Sequence, residues 1–438
     1  MSSELIGVLI FVILLVTILN GVPIFASLLL CAFIGFTMIG GPVFAATQFS
    51  NAPFLSLASY NFAVFPMFML LGVLAAESGV ATNAYFSIRK WMGGIRGGLL
   101  MATVVANGVF GACSGNSMAA STVFCKIAMP ELKKYGYDED TSMGCITAAG
   151  ALSALIPPSV GILMFAMLTD LSIGRGLMSG IGPGILAMVM LMLTTKVVGW
   201  MSPKKIPQVR EEDKKIPVME KVKTLPLLIP IVCLFMLVIG GSFLGWFSTT
   251  VGGAIGALAV FLYAIFKRIP MKTLGKCIWE GAVMNASMLP LIMGGTMFGR
   301  AISLSGLARF LANGVTSLHL PAFLVVVLIL VFYVVCGCLL PVSPIIIITA
   351  PIVFPILEAM GFNSYVMLIC IVFVIEMAGI TPPVGMNTFV VANLCGVDPG
   401  RVFKGSVPYL ICEVLVIILL IAFPPITTFL PTLLMGAA

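Results

Sequence analysis

The sequence contains little charge. Only 9% of its 438 residues are Asp, Glu, Lys or Arg, whereas about a quarter of a typical soluble domain is charged. Hydrophobic residues make up 60% of the chain, and the mean hydropathy is +1.18. Because so few charges cannot cover a water-exposed surface, a soluble enzyme, a nucleic-acid binder and a disordered chain are excluded. A polytopic membrane protein remains, since each run of about 20 apolar residues can cross a bilayer.

Histidine is almost absent as well. The single His319 argues against histidine-based catalysis and against multi-histidine metal sites. The eleven cysteines lie mostly inside apolar runs and are predicted to be small buried side chains. The spacing of Cys336 and Cys338 alone is a weak metal signal. No nucleophile–base pair or nucleotide-binding loop is visible, so we expect no enzyme chemistry and no organic cofactor.

The apolar runs predict an all-α fold, because runs this dense favour membrane helices over a β-barrel. They lie near 4–20, 22–40, 54–76, 97–112, 117–130, 141–170, 177–200, 225–245, 248–266, 280–299, 321–340, 345–360, 364–397 and 405–430. The first run lacks a basic flank and a small-residue cleavage site, which indicates a retained membrane segment rather than a signal peptide.

The basic residues predict the orientation of the segments. The polar stretch 201–224 holds seven basic and four acidic side chains, so we assign it to the cytoplasm by the positive-inside rule. Basic clusters also flank 97–134, which is then a re-entrant hairpin, or a very short pair of crossings, entered from the cytoplasm. The pair 321–360 lies between His319 and 358–365, stretches without Lys or Arg, which places its ends outside. The two hairpins are therefore predicted to enter from opposite faces.

An internal repeat relates the two halves at a shift of about 225 residues. PELKKYGY at 130–137 matches PILEAMGF at 355–362, and IPPSVGILMF at 156–165 matches TPPVGMNTF at 381–389 after a one-residue gap. With opposite hairpin orientations this is an inverted repeat, the usual architecture of secondary transporters. Channels can also be built from repeats, so the repeat alone does not exclude a channel.

Two proline pairs interrupt predicted membrane segments at equivalent positions of the repeat. Pro157 and Pro158 stand in the middle of 141–170, and Pro382 and Pro383 stand in the middle of 364–397. A double proline removes two N–H donors, and carbonyls left unpaired at membrane depth are costly unless a cation, water or polar side chain satisfies them. The pairs mark either packing kinks or two cation sites lined by carbonyl oxygens. Their recurrence favours cation sites suited to sodium.

The predicted hairpin tips contain small and polar residues. The segment 110–121 of the first tip offers N–H groups that favour anions, although small residues also serve close helix packing. Its repeat partner is 336–344. Asn387 and Thr388, past the second break, carry donors able to bind a carboxylate or hydroxyl group. Glu376 lies deep in a predicted crossing and is either a proton or cation partner or a hydrogen-bonded helix lock.

At these residues the chain resembles the large membrane (M) subunit of TRAP transporters, the tripartite ATP-independent periplasmic transporters. The resemblance rests on the tip 111–121, on LIPPSVGILMF at 155–165 and on EMAGITPPVGMNTFVVAN at 376–393, and it runs over nearly the whole chain. It implies a multi-pass protein of the bacterial inner membrane that imports an organic acid with sodium by an elevator motion. It also implies two partners, a separate small four-helix membrane subunit (Q type) and a soluble periplasmic substrate-binding protein (P type).

The resemblance also assigns sites for two or more coupling sodium ions. The first site would use Ser114, Asn116, Ser153, Ile156 and Pro158. The second would use Ala378, Thr381 and Val384, with Leu339 and Pro341 added by repeat symmetry. The candidate substrate contacts are an inference from the sequence alone: Ser117, Ser159, Ser343, Asn387 and Thr388. Glu376 is the possible coupling acid.

The predicted division follows the repeat. The units are scaffold helices at 1–96, a first transport unit at 97–200 (hairpin 97–134, broken helix 137–170), the basic loop 201–224, further scaffold helices at 225–320, and a second transport unit at 321–435 (hairpin 321–360, broken helix 364–397). The predicted function is sodium-coupled import of a small organic acid, such as a dicarboxylate, sialic acid or another sugar acid. The alternatives are a proton-coupled organic anion transporter that works alone and a channel.

Overall fold

The computed structural model describes residues 2–436, apart from 59, 211–212, 214–215 and 318–320. His319 therefore lies outside the described residues. Helices account for almost all of the regular structure, and no β-strand is present in the part of the chain that is described. This agrees with the all-α fold predicted from the density of apolar runs.

The helices follow one another with short connections. The first half contains α1 (Ser3–Leu19), α2 (Ile24–Leu57), α3 (Val64–Glu77), α4 (Val80–Met92), α5 (Gly98–Ser114), α6 (Ser117–Lys134), α7 (Glu139–Leu155), α8 (Val160–Leu168) and α9 (Ile173–Met201). The second half contains α10 (Val218–Val222), α11 (Ile229–Phe243), α12 (Thr249–Phe266), α13 (Met271–Ser305), α14 (Leu307–Ser317), α15 (Ala322–Leu339), α16 (Val342–Ala359), α17 (Ser364–Ala378), α18 (Met386–Cys395), α19 (Pro399–Ala422) and α20 (Pro425–Met435).

Many of these helices are long and apolar enough to cross a membrane. Seven described helices meet this condition singly, and the number rises to ten if each of three bent helix pairs counts as one span. One of the bent pairs is α7 with α8, which meet at an angle of 41°. Large apolar side chains are exposed on many helices, including Leu19, Phe266 and Phe323, as expected for surfaces that face lipid.

Two of the apolar runs are each divided between helices. The run 54–76 is divided between the end of α2, a 3-10 turn at Tyr60–Ala63 and α3. The basic loop 201–224 contains the short helix α10 directly after Pro217. The run 405–430 is divided between α19 and α20 at Pro424, since consecutive prolines at 424 and 425 cannot continue a helix.

Both halves contain a two-helix hairpin followed by a helix, a break and a second helix. In the first hairpin, α5–α6, the rings of Phe110 and Phe124 lie 5.8 Å apart across the two arms. In the second hairpin, α15–α16, the Tyr333 hydroxyl lies 2.8 Å from the Oγ1 atom of Thr349. Each of these two contacts joins the two arms of a hairpin across a two-residue turn, so the arms run antiparallel.

Helix α7 lies at the centre of the molecule and contacts α5, α6 and α19. Its residues from Thr141 to Leu155 are all buried, and most are Ala, Gly, Ser or Thr. Small side chains allow helix backbones to approach closely, which supplies the packing energy that lipid-exposed helices cannot gain from burial. A Cβ atom at Gly144 would collide with the backbone of Gly405 in α19, so this crossing requires glycine.

The polar segment after α9 is attached to the open end of the first hairpin. The Arg96 guanidinium donates to the carbonyl oxygens of Pro203 and Ile206 at 3.1 and 3.2 Å. The Arg210 guanidinium lies over the ring of Tyr135, 4.1 Å from its centroid. These contacts hold the connection between the two halves against the hairpin.

Candidate functional site

Both hairpin turns and both helix breaks border one central cavity of about 100 Å³. The first turn reaches the cavity with Asn116 and Ser117, and the second with Pro341 and Ser343. The start of α8 contributes Val160, and the second break contributes Gly379 and Asn387. Four segments that are far apart in the sequence therefore share one small polar space inside an apolar shell.

The first hairpin turn is fixed by its own backbone. Gly115 has a φ of 60°, a left-handed conformation that favours glycine. The Asn116 side chain caps α6, because its Oδ1 atom accepts hydrogen bonds from the N–H groups of Met118 and Ala119 at 2.9 and 3.1 Å. The amide oxygen of Asn116 is thus already engaged, whereas the buried Oγ atom of Ser114 has no hydrogen-bond partner among the described residues.

The first break leaves carbonyl groups of α7 without their helical donors. Residues 157 and 158 are prolines, so the carbonyl oxygens of Ser153 and Ala154 cannot accept the usual helical hydrogen bonds. Helix α8 resumes at Val160, whose N–H donates to the carbonyl oxygen of Gly115 at 3.3 Å. That bond joins the first break directly to the first hairpin turn.

The second break has a related connection to the second hairpin. Gly385, with a φ of 60°, donates its N–H to the carbonyl oxygen of Cys338 at 3.3 Å. The carbonyl of Gly379 accepts from the N–H of Asn387 at 2.9 Å, and the carbonyl of Ala378 accepts from the N–H of Thr381 at 3.0 Å. In the second break, more of the backbone carbonyl groups therefore accept hydrogen bonds from nearby residues than in the first.

Glycine allows each hairpin to approach the helix that precedes a break. A Cβ atom at Gly111 would lie 2.7 Å from the Cα atom of Ser153. A Cβ atom at Gly337 would lie 2.6 Å from the Cβ atom of Ala378. Both distances are too short for a side chain. In both halves, therefore, a glycine allows the hairpin to pack directly against the helix that precedes the break.

The two breaks differ in burial. Pro157, Pro158 and Ser159 are buried, whereas Pro382 and Pro383 are exposed. The first turn is covered by α3, where a Cβ atom at Gly72 would lie 3.0 Å from the carbonyl oxygen of Ser114. In the second half, exposure reaches 54% for Leu339 and 38% for Val384. The predicted sites therefore stand in different surroundings despite their similar sequences.

The polar core of the cavity joins the two halves. The Nδ2 atom of Asn387 donates to the Oγ atom of Ser117 at 3.2 Å. Glu376 is only 6% exposed and borders the same cavity. A hydroxyl, an amide and a carboxyl group from both halves thus line one space, whose remaining lining is mostly Gly, Val, Leu, Met and Ile.

The structure separates the predicted site residues into two groups. Those that line the cavity are Asn116, Ser117, Pro341, Ser343, Glu376 and Asn387. Those outside its lining are Ser114, Ser153, Ile156, Pro158, Ser159, Leu339, Ala378, Thr381, Val384 and Thr388. Ser159 caps α8 instead, since its Oγ atom accepts from the N–H of Ile162 at 3.2 Å. Thr388 is buried and its Oγ1 atom has no partner among the described residues.

One buried acid was missed by the sequence analysis. Glu413 in α19 is fully buried, and neither of its carboxylate oxygens accepts a hydrogen bond from the described residues. The signal was present in the sequence, because Glu413 is an acid inside the apolar run LICEVLVIILLIAF, and such residues are functional candidates by default.

The structure contains two wider clefts. One, of about 480 Å³, adjoins the central cavity at Asn116 and Val160, reaches Ser114, and is also lined by Lys126 and Lys276. The other, of about 500 Å³, is lined by Asp170, Arg300 and Glu358. Residues of α13 line both clefts. Asp170 and Arg300 are exposed.

The fold is similar to those of two solved structures. The chain is similar to the YdaH transporter of Alcanivorax borkumensis, with a TM-score of 0.65, 14% identity, and coverage of 91% of this chain and 97% of that one. It is also similar to the Neisseria gonorrhoeae efflux pump MtrF, with a TM-score of 0.61, 11% identity, and coverage of 88% and 84%. At these identities the likeness establishes the fold.

The sequence then identifies the family. The family model of the DctM component of the tripartite ATP-independent periplasmic transporter matches residues 11–426, so the chain belongs to this family as the large membrane subunit of a TRAP transporter. It is 27% identical to the C4-dicarboxylate TRAP transporter large permease of Pseudomonas aeruginosa, over 85% of this chain and 86% of that protein. It is 24% identical to the sialic acid TRAP transporter large permease of Vibrio cholerae, over 95% and 96%.

A third relative widens the range of named substrates. The chain is 26% identical to the ectoine TRAP transporter large permease of Halomonas elongata, over 94% of this chain and 96% of that protein. The family and the apolar helices together make this chain a multi-pass protein of the bacterial inner membrane. It is the large membrane subunit of an ATP-independent transporter and not an enzyme.

Proposed function

We propose that this chain couples the import of a small organic acid to an inward flow of sodium ions. The observation that carries the proposal is the convergence of both hairpin turns and both helix breaks on one polar cavity. Secondary transporters bind substrate and coupling ions where broken helices present unpaired backbone groups near the membrane midplane. The cavity with Ser117, Glu376 and Asn387 has this character.

The first proposed sodium site lies behind the first hairpin turn. The Oγ atom of Ser114 is buried and lacks a hydrogen-bond partner in the described chain, and the Ser153 carbonyl has lost its helical donor to Pro157. The carbonyls of Ile156 and Pro158 belong to the same irregular segment. Oxygen atoms without donors suit a hard cation, since oxygen is the ligand such ions prefer. Asn116 contributes through its position, because its side-chain oxygen caps α6.

The second proposed sodium site uses the corresponding residues of the other half. The hydroxyl of Thr381 donates to the carbonyl of Met377 at 2.9 Å, which leaves the lone pairs of its oxygen free to face a cation. Carbonyl groups of Ala378 and Val384 complete the break, and Leu339 and Pro341 come from the hairpin turn. Its greater exposure predicts weaker and more rapidly exchanging binding than at the first site.

The proposed cargo is a small carboxylated solute held in the central cavity. The amide of Asn387 and the hydroxyls of Ser117 and Ser343 supply hydrogen-bond donors for a carboxylate or hydroxyl group. Ser159 and Thr388 then act behind this first set of contacts, Ser159 by capping α8. The named substrates of the relatives, C4-dicarboxylates, sialic acid and ectoine, support a small organic solute and leave its identity open.

Transport in this proposal requires two partners and a moving unit. The family description names the chain as one component of a tripartite system, which supports a separate small membrane subunit and a periplasmic substrate-binding protein. The two hairpins with their broken helices, at 97–200 and 321–435, would move as one unit against scaffold helices at 1–96 and 225–320. The close packing of Gly111 and Gly337 against the helices that precede the breaks supports such joint movement.

The test of sodium binding needs only the purified chain. Thermal unfolding is recorded in sodium, potassium and choline chloride at equal ionic strength. We expect Tm to rise with sodium and not with the other two salts, because an ion that binds only the native state stabilises it. Ser114→Ala should reduce the sodium effect, whereas Ser50→Ala, an exposed helical serine, serves as the matched control. An equal response to sodium and potassium would contradict the proposal.

The test of transport uses proteoliposomes that contain the chain with its small subunit and receptor, identified from the neighbouring genes. Labelled four-carbon dicarboxylates and sialic acid are offered with an inward sodium gradient, with a proton gradient, or with neither. We expect uptake only with the sodium gradient and all three components. Uptake driven by pH alone would support the proton-coupled transporter, and uptake without any gradient would support a channel.

A further inference from the structure

Glu413 has no place in the proposed sodium or substrate sites, although it is the more deeply buried of the two acids in the core. It is fully inaccessible to solvent, and neither of its carboxylate oxygens accepts a hydrogen bond from the described residues. An ionised carboxylate in an apolar interior without a partner is so costly that such groups normally take up a proton instead. The neighbourhood of Glu413 therefore decides its charge.

No cation from the described helices compensates Glu413. Helix α19 packs against α7, α9, α17 and α18. The buried titratable groups on these helices and on α19 itself, other than Glu413, are Cys145, Cys370, Glu376, Tyr409 and Cys412, and the half-buried ones are Glu139, Asp140, Arg175, Tyr365 and Cys395. Arg175 is the one basic group among them, and it stands at the start of α9, about 30 Å along the helix from Thr195, which lies 3.4 Å from the Tyr409 hydroxyl of α19. Lys196 of α9 is exposed.

The basic residues of α19 are too distant to act. Arg401 and Lys404 precede Glu413 by 12 and 9 residues, which corresponds to about 18 and 14 Å along a helix, and both are exposed. Arg401 is moreover engaged with Asp140, at 2.7 Å, and with Glu139, at 3.5 Å, at the start of α7. No described basic side chain on α19 or on these four helices is therefore buried beside Glu413.

We propose that Glu413 is a proton-binding site of the transporter and that it holds a proton in the resting state. Glu413 is absent from the lining of the central cavity, so this proton is out of contact with the proposed cargo. The inference does not depend on which ion drives transport. It adds a titratable group to the part of the interior where α19 packs against α7, α9, α17 and α18.

Infrared spectroscopy of the purified chain in lipid vesicles tests the proposal directly. A protonated buried carboxyl group absorbs in a carbonyl-stretching band that is distinct from that of carboxylates and shifts in heavy water. We expect the wild-type chain to show this band near neutral pH and Glu413→Gln to lose it. Glu376→Gln should retain it, and so should Glu220→Gln, a matched change at an exposed glutamate outside the core.

A second variant keeps the test decisive if Glu413→Gln fails to fold. Glu413→Asp retains a carboxyl group but moves it by one methylene, so the band should persist at a shifted frequency. The proposal is overturned if the wild-type chain shows no such band near neutral pH. It is equally overturned if the band is lost in Glu376→Gln and survives unchanged in the Glu413 variants, because the proton would then sit on Glu376.

Discussion

The Nδ2 atom of Asn387 donates a hydrogen bond to the Oγ atom of Ser117 across 3.2 Å. Ser117 begins the second arm of the first hairpin, and Asn387 lies at the start of the helix that follows the second break. Residues 270 positions apart therefore meet at the central cavity. The bond joins the two halves of the chain at the point where the proposed cargo would bind.

The first prediction concerns the energy of this contact. In a double-mutant cycle of Ser117→Ala and Asn387→Ala, we expect a coupling energy of about 1 kcal/mol in the free energy of unfolding, the usual contribution of one buried hydrogen bond. Asn20→Ala removes an exposed amide that bonds only within its own helix and should show no coupling with Ser117→Ala. Additive effects at positions 117 and 387 would mean that the bond contributes nothing to the stability of the native chain.

The second prediction concerns the glycines that seat the hairpins. Gly111→Ala and Gly337→Ala should each lower the free energy of unfolding by about 1–3 kcal/mol, because the new methyl group meets Ser153 or Ala378 at less than contact distance. Gly275→Ala is the control, since nothing lies within 4 Å of its Cβ position in α13 and it should stabilise the helix by about 0.5–1 kcal/mol. The measurement is the unfolding midpoint of each purified variant.

If Gly111→Ala and Gly337→Ala behave like the Gly275 control, the hairpins do not pack against the breaks as closely as the structure has them. The proposal that each hairpin moves together with its broken helix would then lose its main support.

The third prediction uses a thiol pair that connects the halves. The Sγ atoms of Cys125 in α6 and Cys395 in α18 lie 3.4 Å apart. We expect mild oxidation to link them, because thiols at this separation can form a disulfide with little movement. With a protease site inserted in the segment 201–224, the two fragments should stay joined on a non-reducing gel after cleavage. Cys395→Ser should release them, and Cys233, which is exposed and distant, should not substitute for it.

Free separation of the fragments in the oxidised wild-type chain would show that α6 and α18 do not pack side by side. The spacing of the contacts makes the prediction specific, because 117 pairs with 387 and 125 pairs with 395, both at an offset of 270 residues. This constant offset requires parallel packing of α6 and α18.

The fourth prediction concerns Thr381. Thr381→Ala should reduce the sodium-dependent rise in Tm and change the Tm without sodium little. The only bond that the substitution removes in the absence of sodium is the local one from its hydroxyl to the Met377 carbonyl, at 2.9 Å, and such bonds contribute little to stability. Thr47→Ala removes the same kind of bond, to the Val43 carbonyl at 2.9 Å, on an exposed face of α2 and provides the control. A sodium response identical to that of wild type would remove the Thr381 side chain from the second site, though not its carbonyl.

The proline pairs were the most informative part of the sequence. A double proline must interrupt a helix, because it removes two donors and clashes with the preceding turn, so the breaks after Leu155 and Ala378 followed from local chemistry. The hairpin turns followed in the same way from small and polar residues between apolar arms. The roles of individual residues stay predictions, and the sequence did not show that Ser159 caps α8.

Glu413 shows a different limit. Its position in an apolar run was visible, but its significance depends on its complete burial and on the lack of a hydrogen-bond partner or a buried cation on the described helices around it. No local pattern reveals which helices pack against α19. The inverted relation of the two repeats and the division into scaffold and transport units stay predictions from charge and motif spacing.

The sequence alone determined that this chain resides in a membrane, that it is helical, and where its helices break, because hydropathy and proline act on the residues that carry them. The tertiary structure decided that both breaks and both hairpin turns meet around one cavity, that the first break is buried and the second exposed, and that two acids share the interior. These features arise from contacts between helices that are far apart in the sequence. Glycines allow those helix backbones to pack closely, and the pattern of one segment alone does not show which helix it will pack against.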